Sequence, residues 1–103
     1  MATSGDNGRF NTIRDRLANV YNGNINMHTI YGNIDILSDD RIIVIKSFQE
    51  WKNGIGEIMI HYTQYPSKIK HLHLYNLVAS SNVEINKIMS CSRQLNINIT
   101  FEE

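Results

Sequence analysis

The chain has 103 residues, 42% of them hydrophobic and 9% aromatic, and its ten basic residues balance ten acidic ones. That size and apolar share suit one domain with a packed core and exclude the charge-rich, apolar-poor composition of a disordered chain. A net charge of zero leaves nucleic-acid binding to a local basic face, and the single cysteine, Cys91, excludes an intrachain disulfide and an all-cysteine metal site.

Residues 1–8 are small and polar, with two glycines, and are expected to form a disordered lead to a single domain over 9–103. No run approaches the roughly 18 apolar residues of a spanning helix, and MATSGDNGR lacks the apolar segment of a signal peptide. The expectation is a protein with no membrane association, intracellular, in cytoplasm or nucleus; a lone thiol suits such a reducing compartment. Phe10, Ile13, Leu17, Val20 and Tyr21 fall on one helical stripe, with Asn22-Gly23 as the stop. Ile25, Met27, Thr29 and Tyr31 then alternate as in a half-buried strand, with Gly32-Asn33 as a bulge or short turn.

Two strongly β-forming runs follow, Ile34 to Leu37 and Arg41 to Lys46, around Ser38-Asp39-Asp40. With Asp39 and Asp40 as the turn, Asp35 lies opposite Val44, and Lys46 falls on the same face two residues further on. Ile34, Ile36, Ile43 and Ile45 would then share the other face. A charged pair on an otherwise apolar sheet is the first sign of something beyond packing.

Helical spacing returns from Gln49 to Tyr62, through Trp51, Ile55, Ile58 and Tyr62, and Pro66 ends it. Gly54 and Gly56 inside this helix each cost about 1 kcal/mol against alanine, which suggests close approach to another backbone. The nearly continuous apolar run from Ile69 to Val78 predicts a central strand. Ser80-Ser81-Asn82 offers caps for a last helix, with Glu84 in its first turn and Ile85, Ile88, Met89, Ser92 and Leu95 as its buried stripe. Ile97, Ile99 and Phe101 make a final strand. The fold class is α/β: one small domain with a mixed central sheet flanked by helices, in the order αβββαβαβ.

This order, with Asp35 in Asn33-Ile34-Asp35 and Lys46 in Val44-Ile45-Lys46, resembles the core of the PD-(D/E)XK (restriction endonuclease-like) nuclease superfamily. The helix Glu50-Trp51-Lys52-Asn53-Gly54-Ile55-Gly56-Glu57, followed by Tyr62, is similar to the W-x-x-(A/G)-I-G-Q-x-x-x-Y helix of its small members. The resemblance spans Phe10 to Phe101 and implies a small divergent member of the sort viruses encode. It implies a metal-dependent endonuclease acting on DNA, with Asp35, Lys46 and Glu57 as catalytic residues. Mg²⁺, for which Mn²⁺ can substitute, would be held by Asp35 and Glu57. Cleavage builds negative charge around phosphorus, which a hard cation on carboxylate oxygens offsets, while the lysine positions or polarises water.

The sequence departs from the family at Val44, where the pattern has its second acid. Either that acid has moved to the helix, with Glu57 (or, less favourably placed, Glu50) in the position where small members carry Gln, or the site has decayed and the fold remains to bind nucleic acid or a protein. A third possibility is an unrelated α/β interaction protein in which Asp35 and Lys46 form an ordinary salt bridge. Lys52, Lys68 and Lys70 are the leading phosphate contacts, with Arg14 and Arg16 as further members of a basic face. A homodimer would set two sites against two strands.

Other residues have plainer readings. His71 and His73 share a strand face, which permits two metal ligands, but no third follows in sequence, and polar-face histidines are the better reading. His61, one turn after Glu57, reads as an exposed helix histidine. Cys91 reads as core, and Trp51 as a core anchor before a base-stacking group.

Overall fold

The computed structural model describes residues 3–78 and 81–103, with side chains described from Gly8 onward. The apolar stripe starting at Phe10 belongs to a longer helix, α1, which spans Thr3–Tyr21 and so begins inside the segment expected as a disordered lead. Residues 1 and 2 lie outside the described residues. The stop falls where the sequence places it. Asn22 takes a left-handed φ of 55° and the Gly23 N–H donates to the Ala18 carbonyl at 2.9 Å, closing the helix end.

Then come β1 (Asn24–Thr29), β2 (Gly32–Leu37), β3 (Arg41–Ser47), a 3₁₀ turn over Phe48–Glu50, α2 (Trp51–Tyr62), β4 (Ile69–Tyr75), α3 (Asn82–Gln94) and β5 (Ile97–Phe101). Tyr31, expected in the first strand, sits instead in the turn between β1 and β2, and β4 stops at Tyr75, short of Val78. The five strands lie in the order β1-β2-β3-β4-β5. β1, β2 and β3 form an antiparallel meander, whereas β3, β4 and β5 run parallel, so β2 alone opposes the rest.

Helices cover both faces of this mixed sheet. Ile13 and Leu17 of α1 pack on Ile36, Ile43, Ile45 and Tyr75. Trp51 and Ile58 of α2, with Ile88 of α3, pack on Ile42, Val44, Leu72 and Leu74 from the other side. Parallel strands covered on both faces must be apolar on both, which is why Ile42, Ile43, Val44 and Ile45 are all buried in succession. Each such side chain contributes about 1.5–3 kcal/mol of burial.

The Ser38 N–H donates to the Arg41 carbonyl at 3.0 Å, leaving Asp39 and Asp40 as the two-residue turn. Ile36 pairs with Ile43 and Leu37 with Ile42, the register the turn requires, and the pairing ends one residue short of Asp35 and Val44. One expectation fails here. Ile34 joins the α2-side core while Ile36 joins the α1-side core, so strict alternation breaks between them, at Asp35.

The two helix glycines differ. A Cβ on Gly54 would lie 2.6 Å from Leu72 Cδ1 and 3.2 Å from Lys46 Cγ, whereas one on Gly56 would meet nothing within 4 Å. The close approach is therefore to side chains of β3 and β4, not to a backbone, and it concerns Gly54 alone. Gly56→Ala is expected to stabilise by about 1 kcal/mol through helix propensity. Gly54→Ala should destabilise by about 1–2 kcal/mol because overpacking outweighs that gain. Urea midpoints of the two variants moving in the same direction would contradict this packing.

At the start of α3, Ser81 holds the N-cap position without a side-chain cap bond, and Ser80 lies outside the described residues. Glu84 stands in the first turn of α3 as expected, and it also accepts the Trp51 indole N–H at 2.8 Å, tying α3 to α2. Trp51, 8% exposed, is thus the core anchor the sequence suggests.

Candidate functional site

Asp35 sits where two strand ladders are interrupted. On one side β1 pairs Ile25 with Ile36 and Met27 with Ile34 but does not pair Asn26 with Asp35, and Asn26 has a left-handed φ of 53°. On the other side the β2–β3 pairing ends at Ile36 and Ile43, and the Ile45 N–H donates to Asp35 Oδ2 at 2.8 Å. A side-chain oxygen thus takes up a donor that the ladder leaves over, which holds the carboxylate between strands. Burial pushes the Asp35 pKa up to about 6; the Ile45 N–H pulls it down, the Glu57 charge raises it, and the Lys46 and Arg14 charges lower it.

Lys46 leaves β3 on the α2 side, its stem against Gly54, and its Nζ lies 3.0 Å from Glu57 Oε1. Burial pulls the ammonium pKa down, but the hydrogen bond and charge of Glu57, then the charges of Asp35 and Glu50, outweigh it and hold it above the ordinary lysine value. The salt bridge that Lys46 makes is with Glu57 and not with Asp35, so the plain Asp35–Lys46 ion pair is not formed. Glu57 does reach the lysine and the strand acid electrostatically, while Glu50 is a more distant charge.

The three groups carry two carboxylates against one ammonium. Such a site is short of positive charge, and two carboxylates are hard oxygen donors of the kind Mg²⁺ accepts alongside several of its waters. Val44 contributes no ligand: it is fully buried in the α2-side core. Among the described residues no three His, Cys, Asp or Glu side chains form a group that could hold a metal.

The lysines fare differently. Lys68 Nζ donates to the Ser38 and Asp39 carbonyls at 2.8 and 2.7 Å, fastening the β2–β3 turn. Lys70 is 7% exposed in β4, its ammonium 4.1 Å from the centre of the Tyr62 ring. Neither ammonium is offered to a ligand, a placement no sequence spacing reveals. Lys52 is exposed beside Trp51, its Nζ 5.7 Å from the ring centre.

His71 and His73 share the α1 face, but as links in a polar chain. An Arg41 N–H donates to His71 Nδ1 at 3.3 Å, so His71 Nε2–H donates to Thr100 Oγ1 at 2.8 Å. The Thr100 hydroxyl then donates to His73 Nδ1 at 2.7 Å, and His73 Nε2–H donates to Glu102 Oε1 at 2.8 Å. Every imidazole nitrogen is engaged, with none left for a metal. Burial first, then the Arg41 and His73 charges, push the His71 pKa down to about 4, and burial lowers that of His73 against the pull of Glu102.

His61 is not the exposed helix histidine expected, being 1% exposed, with Nδ1 buried and without a hydrogen-bond partner among the described residues. A buried unpaired nitrogen is unfavourable by about 1–3 kcal/mol, so His61→Leu is expected to raise the thermal midpoint by several degrees. A lower midpoint would show that a bound water satisfies this nitrogen. Cys91 is partly buried against the α2-side core, as expected.

Three proteins of Acanthamoeba polyphaga mimivirus, each named as containing a KilA-N domain, are similar to this chain. They are 38%, 34% and 30% identical over 76, 83 and 84 residues, which is 74%, 81% and 82% of this chain. The shared stretch spans only 31%, 23% and 23% of the relatives' own lengths. No protein-family model matches the chain, and no solved structure does.

Proposed function

We propose that this domain acts on nucleic acid and that Asp35, Glu57 and Lys46 form a phosphodiester-cleaving site of restriction endonuclease-like kind. The observation that carries the reading is the convergence of the strand acid, the strand lysine and the helix acid, with Lys46 and Glu57 at 3.0 Å and Asp35 in their field. The element order αβββαβαβ, with β2 alone opposing the other strands, supports it. The similarity to viral proteins named for a KilA-N domain supports the nucleic-acid part of this reading and not the cleavage. No helix among the described residues is long and apolar enough to cross a membrane.

Asp35 and Glu57 would hold Mg²⁺ or Mn²⁺. When bound, the ion supplies Lewis-acid stabilisation of the charge building on the phosphoryl oxygens and a more acidic water. The Ile45 N–H keeps the Asp35 carboxylate in place throughout. Lys46 stays protonated and orients the attacking water or offsets charge, and Glu57 must share its carboxylate between lysine and ion. Pairing of two copies would bring two such sites to the two strands of a duplex.

The test is incubation with plasmid DNA, single-stranded DNA and RNA in Mg²⁺, Mn²⁺ or EDTA, beside Asp35→Ala and Lys46→Ala. Cation-dependent cleavage lost in both variants is the expected result; equal cleavage by the variants would remove the assignment. One observation favours a binding domain without catalysis, namely Val44 buried at the usual acidic position. That reading predicts binding without cleavage under every cation, unchanged by Asp35→Asn.

A further inference from the structure

The fold engages several of the candidate phosphate contacts elsewhere: Lys68 on turn carbonyls, Lys70 over Tyr62, and Arg16 on Glu102 at 2.5 Å. Lys52 stays exposed in the first turn of α2, and Arg14 is placed unlike any of these. It rises from α1, the layer on the far side of the sheet from Lys46, and its side chain is only 14% exposed. Its Nε and Nη2 lie 3.1 Å from Asp15 Oδ1, and Nη1 lies 3.5 Å from the side-chain oxygen of Asn26, the left-handed residue at the ladder gap facing Asp35. Its charge reaches Asp35. The partner Asp15 is 62% exposed and adjacent in sequence, and an ion pair so placed is worth little in water.

We propose that Arg14 is a phosphate contact of the Asp35 site, releasing Asp15 to grip a non-bridging phosphate oxygen of a nucleic-acid strand laid over the parted β1–β2 ladder at Asn26. This rests on the nucleic-acid reading above. Two cations then bracket Asp35 from opposite layers, Lys46 from β3 and Arg14 from α1. A guanidinium suits the second place because its planar fork meets two phosphate oxygens at once, and a largely preset side chain loses little freedom on binding. Exchange of one anion for another leaves the buried stem in place.

The experiment is fluorescence anisotropy with a labelled DNA duplex and a labelled single strand, in EDTA, over a series of salt concentrations. Arg14→Ala is expected to weaken binding about tenfold and to lower the slope of log K against log salt by nearly one. Arg93→Ala, which removes an exposed charge from α3, should change binding less than about twofold. Asp15→Asn, which removes the competing anion, should tighten binding more than Glu103→Gln does. Arg14→Lys should fall between Arg14→Ala and the wild type, and it carries the test if the alanine variant fails to fold. Arg14 variants that bind as the wild type does would overturn this inference and leave the nucleic-acid reading standing. A wild-type chain that binds neither strand form would overturn both.

Discussion

Asp35→Asn is expected to stabilise the domain at pH 8 and at the same time abolish any cleavage. The carboxyl pKa stands at about 6 against an ordinary 3.8, so the folded chain binds this proton more tightly than the unfolded chain does. The sign follows directly. The proton's contribution to stability is complete below pH ~4 and is lost as pH rises through ~6, leaving the wild type with a penalty of about 3 kcal/mol at 1.36 kcal/mol per pH unit. Asparagine removes the charge and keeps an oxygen for the Ile45 N–H, though that neutral bond is weaker by about 1 kcal/mol. The net gain is about 1–2 kcal/mol at pH 8, a rise of roughly 4–16 °C in thermal midpoint for a domain this size. At pH 4 the gain should vanish. Thermal melts of both proteins from pH 4 to 8 check it, and a variant less stable than the wild type at pH 8 would mean that the Asp35 anion is structural.

Lys46→Met is expected to have the opposite signature. Methionine keeps the apolar stem against Gly54 but removes the one ammonium between Asp35 and Glu57. With both side chains about a quarter to a third exposed, solvent screens the loss, and about 1–2 kcal/mol of destabilisation is the reasonable figure. Cleavage, if Lys46 positions or polarises the water, should fall by about two to four orders of magnitude. The sharper test is the cycle with Asp35→Asn. Removing the Asp35 charge should rescue part of the Lys46→Met loss, giving a coupling of about 0.5–2 kcal/mol between side chains on neighbouring strands. Strict additivity would separate Asp35 from Lys46 and leave no shared site.

Much of the architecture could be read from local pattern, because periodicity and turn chemistry act over a few residues. Asn22-Gly23 ends α1, Asp39-Asp40 turns β2 into β3, and that turn sets Leu37 against Ile42 and Ile36 against Ile43. Trp51 was legible as core. The helical start at Thr3 was not, since small polar residues and glycine carry no apolar stripe to read.

The site divides along the same line. Reading the residues in order is enough to find the available chemistry: an acid on β2, a lysine on β3, no acid at Val44, and an acid on the following helix at Glu57. What those groups do to one another emerges with the packed fold, because it depends on distances across the sheet that spacing along a chain does not encode. Packing of α2 over Gly54 brings Glu57 to Lys46, and the parted ladders at Asn26 and Asp35 leave a carboxylate half-buried with a raised pKa. The same packing withdraws Lys68 and Lys70 into the fold and sets Arg14, one charge among several on a helix, against Asn26 at the ladder gap that faces the acid.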